Sequence, residues 1–239
     1  RGRGIRYITL CHSKCNHICD SSFDEHRTWH GLSPFGTDLV AAMNDMGMVI
    51  DVSHVSDETF YQVIERSRTP VVATHSGCRH FTPGFERNMS DEMIGALAAK
   101  GGVIQINFGS IFLKAGVAAQ FQAFKRQLEQ EIAAKGLAGA DKEAYADARW
   151  KQGRFDRARV GDVADHIDHV VRLAGIDHVG LGSDFDGVAN LPVGLEDVSC
   201  YPNLIAELLR RGYTPPDIGK VAGGNFLRVW RRIIDEAGN

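Results

Sequence analysis

Apolar, β-branched runs alternate with stretches of helical spacing along most of the chain. Residues 5–10, 48–52, 71–74, 103–108 and 178–182 are short and nearly continuous in their apolar character, the pattern of strands buried on both faces. Between them, residues 34–46, 57–66, 90–100 and 163–174 repeat apolar side chains at helical intervals. Ser33, Ser56 and Ser90 stand where a side-chain oxygen caps the first turn of three of these helices. Alternating strand and helix predicts an α/β fold with a parallel sheet.

Two such architectures compete, an open doubly wound sheet and a closed (β/α)8 barrel of the TIM type. The polar residues choose between them. His12, Ser53 with His54, Thr74 with His75, Asn107 and Asp184 each fall at or just past the end of a different predicted strand. A doubly wound sheet would gather its site at one switch point, so the barrel is expected. Only five barrel strands can be counted in residues 1–239, and roughly three more are needed to close the ring. The chain is therefore read as one domain, the carboxyl-terminal part of a barrel whose missing strands precede residue 1. Residues 114–160, rich in Ala, Gln, Lys and Glu, read as a helical insertion, and residues 201–237 as a helical tail.

Composition narrows the partners. With 30 acidic and 27 basic residues the formal charge is −3, which is not the footprint of a nucleic-acid binder. No run approaches the roughly 20 apolar residues of a membrane span, and the start Arg1-Gly2-Arg3-Gly4 lacks the apolar core of a leader. The compartment is left open, as is a homodimer. Five cysteines is an odd number, and Cys11, Cys15 and Cys19 are spaced too regularly for an ordinary disulfide framework; free thiols are expected.

His54 and His75 should leave neighbouring strands at the same end, and neutral imidazole is the commonest protein ligand for zinc. The plainer alternative is a pair of hydrogen-bonded histidines near strand ends. Asp184 and Asp186, in Gly182-Ser183-Asp184-Phe185-Asp186-Gly187, open the loop after the last strand. A carboxylate there can orient water and shuttle its proton, or simply form a turn; as a calcium loop the fragment lacks the remaining ligands.

Longer segments carry a resemblance. Gly4-Ile5-Arg6-Tyr7-Ile8-Thr9-Leu10 with Cys11-His12-Ser13, Gly31-Leu32-Ser33-Pro34-Phe35-Gly36, Ile50-Asp51-Val52-Ser53-His54-Val55-Ser56 and Pro70-Val71-Val72-Ala73-Thr74-His75-Ser76 occur in that order. Glu86-Arg87-Asn88, Asp184-Phe185-Asp186-Gly187, Gly194-Leu195-Glu196-Asp197-Val198 and Tyr201-Pro202-Asn203-Leu204 follow. Together they resemble the membrane (renal) dipeptidase family of zinc-dependent barrel hydrolases, over all of the chain except the insertion. The resemblance implies hydrolysis of dipeptides, including those with a D-residue at the carboxyl-terminal position, at a centre of two zinc ions. It implies that His54 and His75 bind one zinc and that Asp184 is the acid/base. It further implies that His12 contacts the scissile carbonyl and Arg87 holds the substrate's terminal carboxylate. The family's His-x-Asp pair on the first strand and its bridging glutamate are not in this sequence, and both are expected before residue 1.

Other readings compete. A related amide, such as an N-acyl amino acid or a β-lactam, is an alternative substrate, and a non-catalytic barrel scaffold is an alternative role. Cys11-x-x-x-Cys15-x-x-x-Cys19 misses the iron–sulfur spacing Cys-x-x-x-Cys-x-x-Cys by one residue. His166 and His169 can share a helical face, but Asp165 and Asp168 beside them point to a solvated surface.

Overall fold

The computed structural model describes residues 4–237; Arg1, Gly2 and Arg3, which entered the reading of the chain's start, lie outside the described residues. Five parallel strands form one sheet in chain order: β1 (Tyr7–Thr9), β2 (Val49–Asp51), β3 (Val72–Ser76), β4 (Val103–Ile106) and β5 (Val179–Leu181). Helices α1 (Pro34–Asp45), α2 (Asp57–Arg66) and α3 (Asp91–Ala99) follow the first three strands in turn. Four helices lie between β4 and β5: α4 (Ser110–Leu113), α5 (Ala115–Ala134), α6 (Gly139–Gln152) and α7 (Val160–Ala174). After β5 come α8 (Tyr201–Arg210), α9 (Pro215–Gly219) and α10 (Asn225–Asp235). The repeated strand–helix order and the all-parallel neighbours are those of an arc of a (β/α)8 barrel.

The capping serines act as expected. Ser33 accepts from Gly36 N, Ser56 from Thr59 N and Ser90 from Met93 N, each satisfying one of the amides that the first turn leaves unpaired. Helix α7 begins earlier than the apolar spacing suggests, because the Asp162 carboxylate accepts the Arg159 amide at 2.7 Å and closes the first turn before Val163. β1, β2, β4 and β5 are shorter than their apolar runs, whereas β3 continues past Thr74 to Ser76 and so carries His75 within the ladder.

Most buried side chains belong to one core between sheet and helices, with Phe60, Ile94, Leu97, Ile104 and Ile167 wholly inaccessible. Full burial of one such side chain contributes about 1.5–3 kcal/mol. A second, smaller cluster of Val49, Val72 and Val103 is covered by Val229 and Ile233 of α10. No helix among the described residues is long and apolar enough to cross a membrane.

Candidate active site

The residues that sequence spacing sends to the carboxyl ends of the strands meet there. His54, three residues past β2, and His75, within β3, face each other with their Nε2 atoms 2.8 Å apart. The His12 ring, on the loop after β1, lies 4.4 Å from that of His54. These three histidines and Asp184 line one cavity of about 710 Å3. Asp186 is exposed and does not join them.

Asp51, the last residue of β2, organises this end, and nothing in its spacing marks it beforehand. It is fully buried and accepts from Thr9 Oγ1 (2.5 Å), Ser53 N (2.9 Å), Thr74 N (3.0 Å) and Thr74 Oγ1 (2.7 Å). With its only proton given to Asp51, the Thr74 hydroxyl can do nothing but accept from His75 Nδ1 at 2.7 Å. His75 Nε2 is then the nitrogen without a proton, its lone pair turned toward His54. Burial, reinforced by the cationic Arg87, pushes His54 down to about 2 and lowers His75 as well. Both rings are neutral at pH 7, the form that ligates metal.

Backbone strain concentrates here. His54 and Asp184 have φ of 71° and 59°, and His30 is the other described non-glycine residue with positive φ; such conformations persist where surrounding bonds over-determine them. The His54 carbonyl accepts from Ser22 N at 2.8 Å and Ser22 Oγ at 2.9 Å, which ties it to the loop carrying His12. Asp184 accepts from Asn107 Nδ2 at 2.9 Å and folds over Gly187, where a Cβ would lie 2.2 Å from its Oδ1. Only glycine leaves room for that carboxylate.

Arg87 occupies a different position from the other candidates. It is 3% exposed and absent from the cavity wall. It donates to Ser76 Oγ (2.8 Å) and the His75 carbonyl (2.7 Å), stacks over Phe112, and leaves Nε without a partner. Burial pushes its pKa down to about 10, so it stays cationic. In this arrangement it braces the end of β3, and reaching a substrate carboxylate requires it to exchange one of those acceptors. The cavity-lining cations are Lys151 and Arg154 of the segment between β4 and β5.

The remaining motifs resolve into structure. All five cysteines are free. Cys11 donates to the carbonyls of Asp20 and His54, Cys15 to that of His26. Hydrogen bonding to Cys11 and burial raise Cys19, and burial raises Cys15, so these are thiols rather than the thiolates a cluster requires. His166 and His169 face inward, not into solvent. His166 is fully buried, accepts from Cys78 N at 3.0 Å and donates to the Leu113 carbonyl at 3.2 Å, while Asp165 and Asp168 hold Arg211 on the opposite side. His169 pairs with Asp91 at 2.7 Å and stacks on His80; these three could approach a cation, but each ring already has a partner.

Can the histidine pair take a metal? Two neutral imidazoles converge on one point, His54 Nδ1 is buried without a partner, and an acceptor fixes the outer nitrogen of His75. That donor set suits a borderline-soft divalent cation. An α/β scaffold with paired neutral imidazoles and a carboxylate at its strand ends is the arrangement found in barrel metallohydrolases.

Comparison with known proteins narrows the class. The model of the membrane dipeptidase family (peptidase family M19) matches residues 1–238. This chain belongs to that family, a family of metallopeptidases. It is similar to dipeptidase tcpJ of Claviceps purpurea, 36% identical over 234 residues, covering 98% of this chain and 46% of that protein. Among solved structures it is similar to the probable dipeptidase PvdM of Pseudomonas aeruginosa, with a TM-score of 0.85, 33% identity, and coverage of 99% of this chain and 64% of the other. A metallo peptidase of Rhodobacter sphaeroides, solved with a phosphinate mimic of the dipeptide L-Ala-D-Ala, gives a TM-score of 0.75 at 27% identity, covering 97% of this chain and 57% of that one. The chain spans about half the length of the curated relatives it matches.

Proposed function

We propose that this protein is a zinc-dependent dipeptidase. The observation that carries the reading is the meeting of His54 and His75 at 2.8 Å on a cavity shared with Asp184 and His12. His54 and His75 would hold one of two zinc ions. Bound zinc would supply Lewis-acid polarisation of the scissile carbonyl and acidify water at neutral pH.

The chain's own residues do the rest. Asp184, steadied by Asn107, accepts the proton released on attack and returns it to the departing amine, a poor leaving group until protonated. His12 donates to the carbonyl oxygen as it gains negative charge. Its Nδ1 is 2.9 Å from Ser13 Oγ, which leaves the other nitrogen free to face the cavity. Arg87 braces the His75 carbonyl and is the candidate clamp for the terminal carboxylate, its planar fork matching that group. The ligand of the Rhodobacter sphaeroides structure supports a carboxyl-terminal D-residue as an accepted substrate feature.

The test is release of free amino acid from L-Ala-L-Ala and L-Ala-D-Ala by the zinc-loaded protein, with metal counted by atomic emission. His75→Ala should lower the zinc bound and abolish turnover together. Full zinc content and undiminished turnover in His75→Ala would remove the basis of the reading.

A further inference from the structure

The catalytic cavity is larger than two small residues need, and much of its wall does not come from the barrel strands. Pockets of about 300–1,000 Å3 enclose ligands of drug size, and this one, at about 710 Å3, runs from His54 and Asp184 to Phe121, Trp150 and Phe155. Phe121 lies on α5, Trp150 on α6 and Phe155 just beyond it. All three are half-buried and stand outside the main core.

Their arrangement is that of a built panel. The Phe121 and Trp150 rings stack at 4.8 Å, and Phe155 lies 6.1 Å from Trp150. Phe124, which does not line the cavity, packs 4.7 Å from Trp150, and the Arg149 guanidinium lies over the Phe124 ring at 5.3 Å. Glu131 on α5 fixes Arg149 by hydrogen bonds of 2.8 and 3.0 Å and accepts from Tyr145 at 2.9 Å. A purely structural role for the aromatics is to join α5 to α6. Phe124, Arg149 and Glu131 already do that, whereas Phe121, Trp150 and Phe155 also present apolar surface to the cavity. Rings held in place before binding lose little freedom on contact, which favours an apolar ligand group.

Resting on the dipeptidase reading above, we propose that this panel is a side-chain subsite, and that the preferred dipeptide carries an aromatic or comparably bulky apolar side chain. A cationic side chain would meet Lys151 and Arg154 on the same wall and be disfavoured.

The test compares kcat/KM of the zinc-loaded protein for Ala-Ala, Phe-Ala and Ala-Phe. At least one aromatic dipeptide should exceed Ala-Ala by about tenfold or more, and Trp150→Ala should lower that ratio by about tenfold, within the range that apolar pocket contacts supply. Trp150→Phe, which keeps an aromatic face, should preserve most of the preference. If Trp150→Ala fails to fold, Phe121→Leu reads the same ratio. A ratio near one in the unaltered protein, or an unchanged ratio in a folded Trp150→Ala or Phe121→Leu, overturns the subsite alone. Hydrolysis of none of the three dipeptides by the zinc-loaded unaltered protein overturns the dipeptidase reading and the subsite with it.

Discussion

At the amino-terminal end of the sheet, Val49, Val72 and Val103 are fully buried beneath Val229 and Ile233 of α10. At the carboxyl end the same strands lead into Asp51, His54, His75 and Asn107, and Asp184 joins them from the end of β5. The first end is settled by apolar packing, which is non-directional and tolerates small adjustments. The second is settled by directional bonds: a buried carboxylate with four hydrogen bonds, two residues with left-handed backbone, and buried nitrogens on His54 and Arg87 without partners. Buried polar groups left unpaired are uncommon in folded proteins and destabilise by about 1–3 kcal/mol each. Such nitrogens also occur at the other end, on Arg228 and Trp230 of α10; what sets the carboxyl end apart is the left-handed backbone of His54 and Asp184 around the buried Asp51, and there the molecule gives up stability for chemistry.

The sharpest separation of the two ends comes from Asp184→Asn. The change keeps size and removes the basic site, so kcat should fall by about 10²- to 10⁴-fold, the usual share of general acid–base catalysis. Zinc content should stay near normal. Full kcat with zinc bound would refute the acid/base role, and loss of zinc in step with activity would make Asp184 a ligand instead.

Ile233→Ala should do the reverse. Truncating this buried residue removes about 2–5 kcal/mol of stability through lost burial and a residual cavity, read as an earlier urea midpoint. The fraction that remains folded should turn over at the unaltered rate; a large change in its kcat would mean that the two ends are coupled.

Thr74→Val should weaken zinc binding by about 10- to 100-fold, as loss of an orienting partner does in metal sites. The change unties His75 Nδ1 from Asp51 while keeping the shape of the side chain. Competition against a chelator measures it, and unchanged affinity would show that the Asp51–Thr74–His75 chain does not set the ligand.

The remaining effect is in pH. His54 and His166, held down at about 2 and about 4 by burial, refuse protons that the unfolded chain accepts below about 6.5. Stability of the metal-free protein should therefore be complete above about pH 6.5 and decline as pH falls. The slope should be about 1.4 kcal/mol per pH unit for each such histidine until its folded pKa is passed. Urea midpoints between pH 7 and 5 test the sign, and a flat profile would contradict it.

Much of the fold was legible because burial on both faces forces long apolar runs, and because Ser33, Ser56 and Ser90 are the residue type that caps helices. His54, His75 and Asp184 were legible as candidates for a related reason, as polar residues placed just where apolar runs end. The orientation of the His166 and His169 pair was misjudged from Asp165 and Asp168. On a helix, residues one apart project about 100° apart, and Arg211 draws both carboxylates to the outer face. Phe121, Trp150 and Phe155 carried no signal of a cavity wall, since aromatic residues at helical spacing look alike whether they face a core or a ligand.

By itself, then, the chain's order of residues determined the parallel α/β plan, the caps and the end of the sheet at which polar groups gather, all of which depend on local spacing and on burial. Only the tertiary structure decided that Asp51 and Thr74 set the tautomer of His75, that Arg87 lies beneath the cavity wall, and that the insertion closes over the site. Each depends on distances between segments far apart in sequence. Those distances are set by how helices pack and loops close, and local spacing does not encode them.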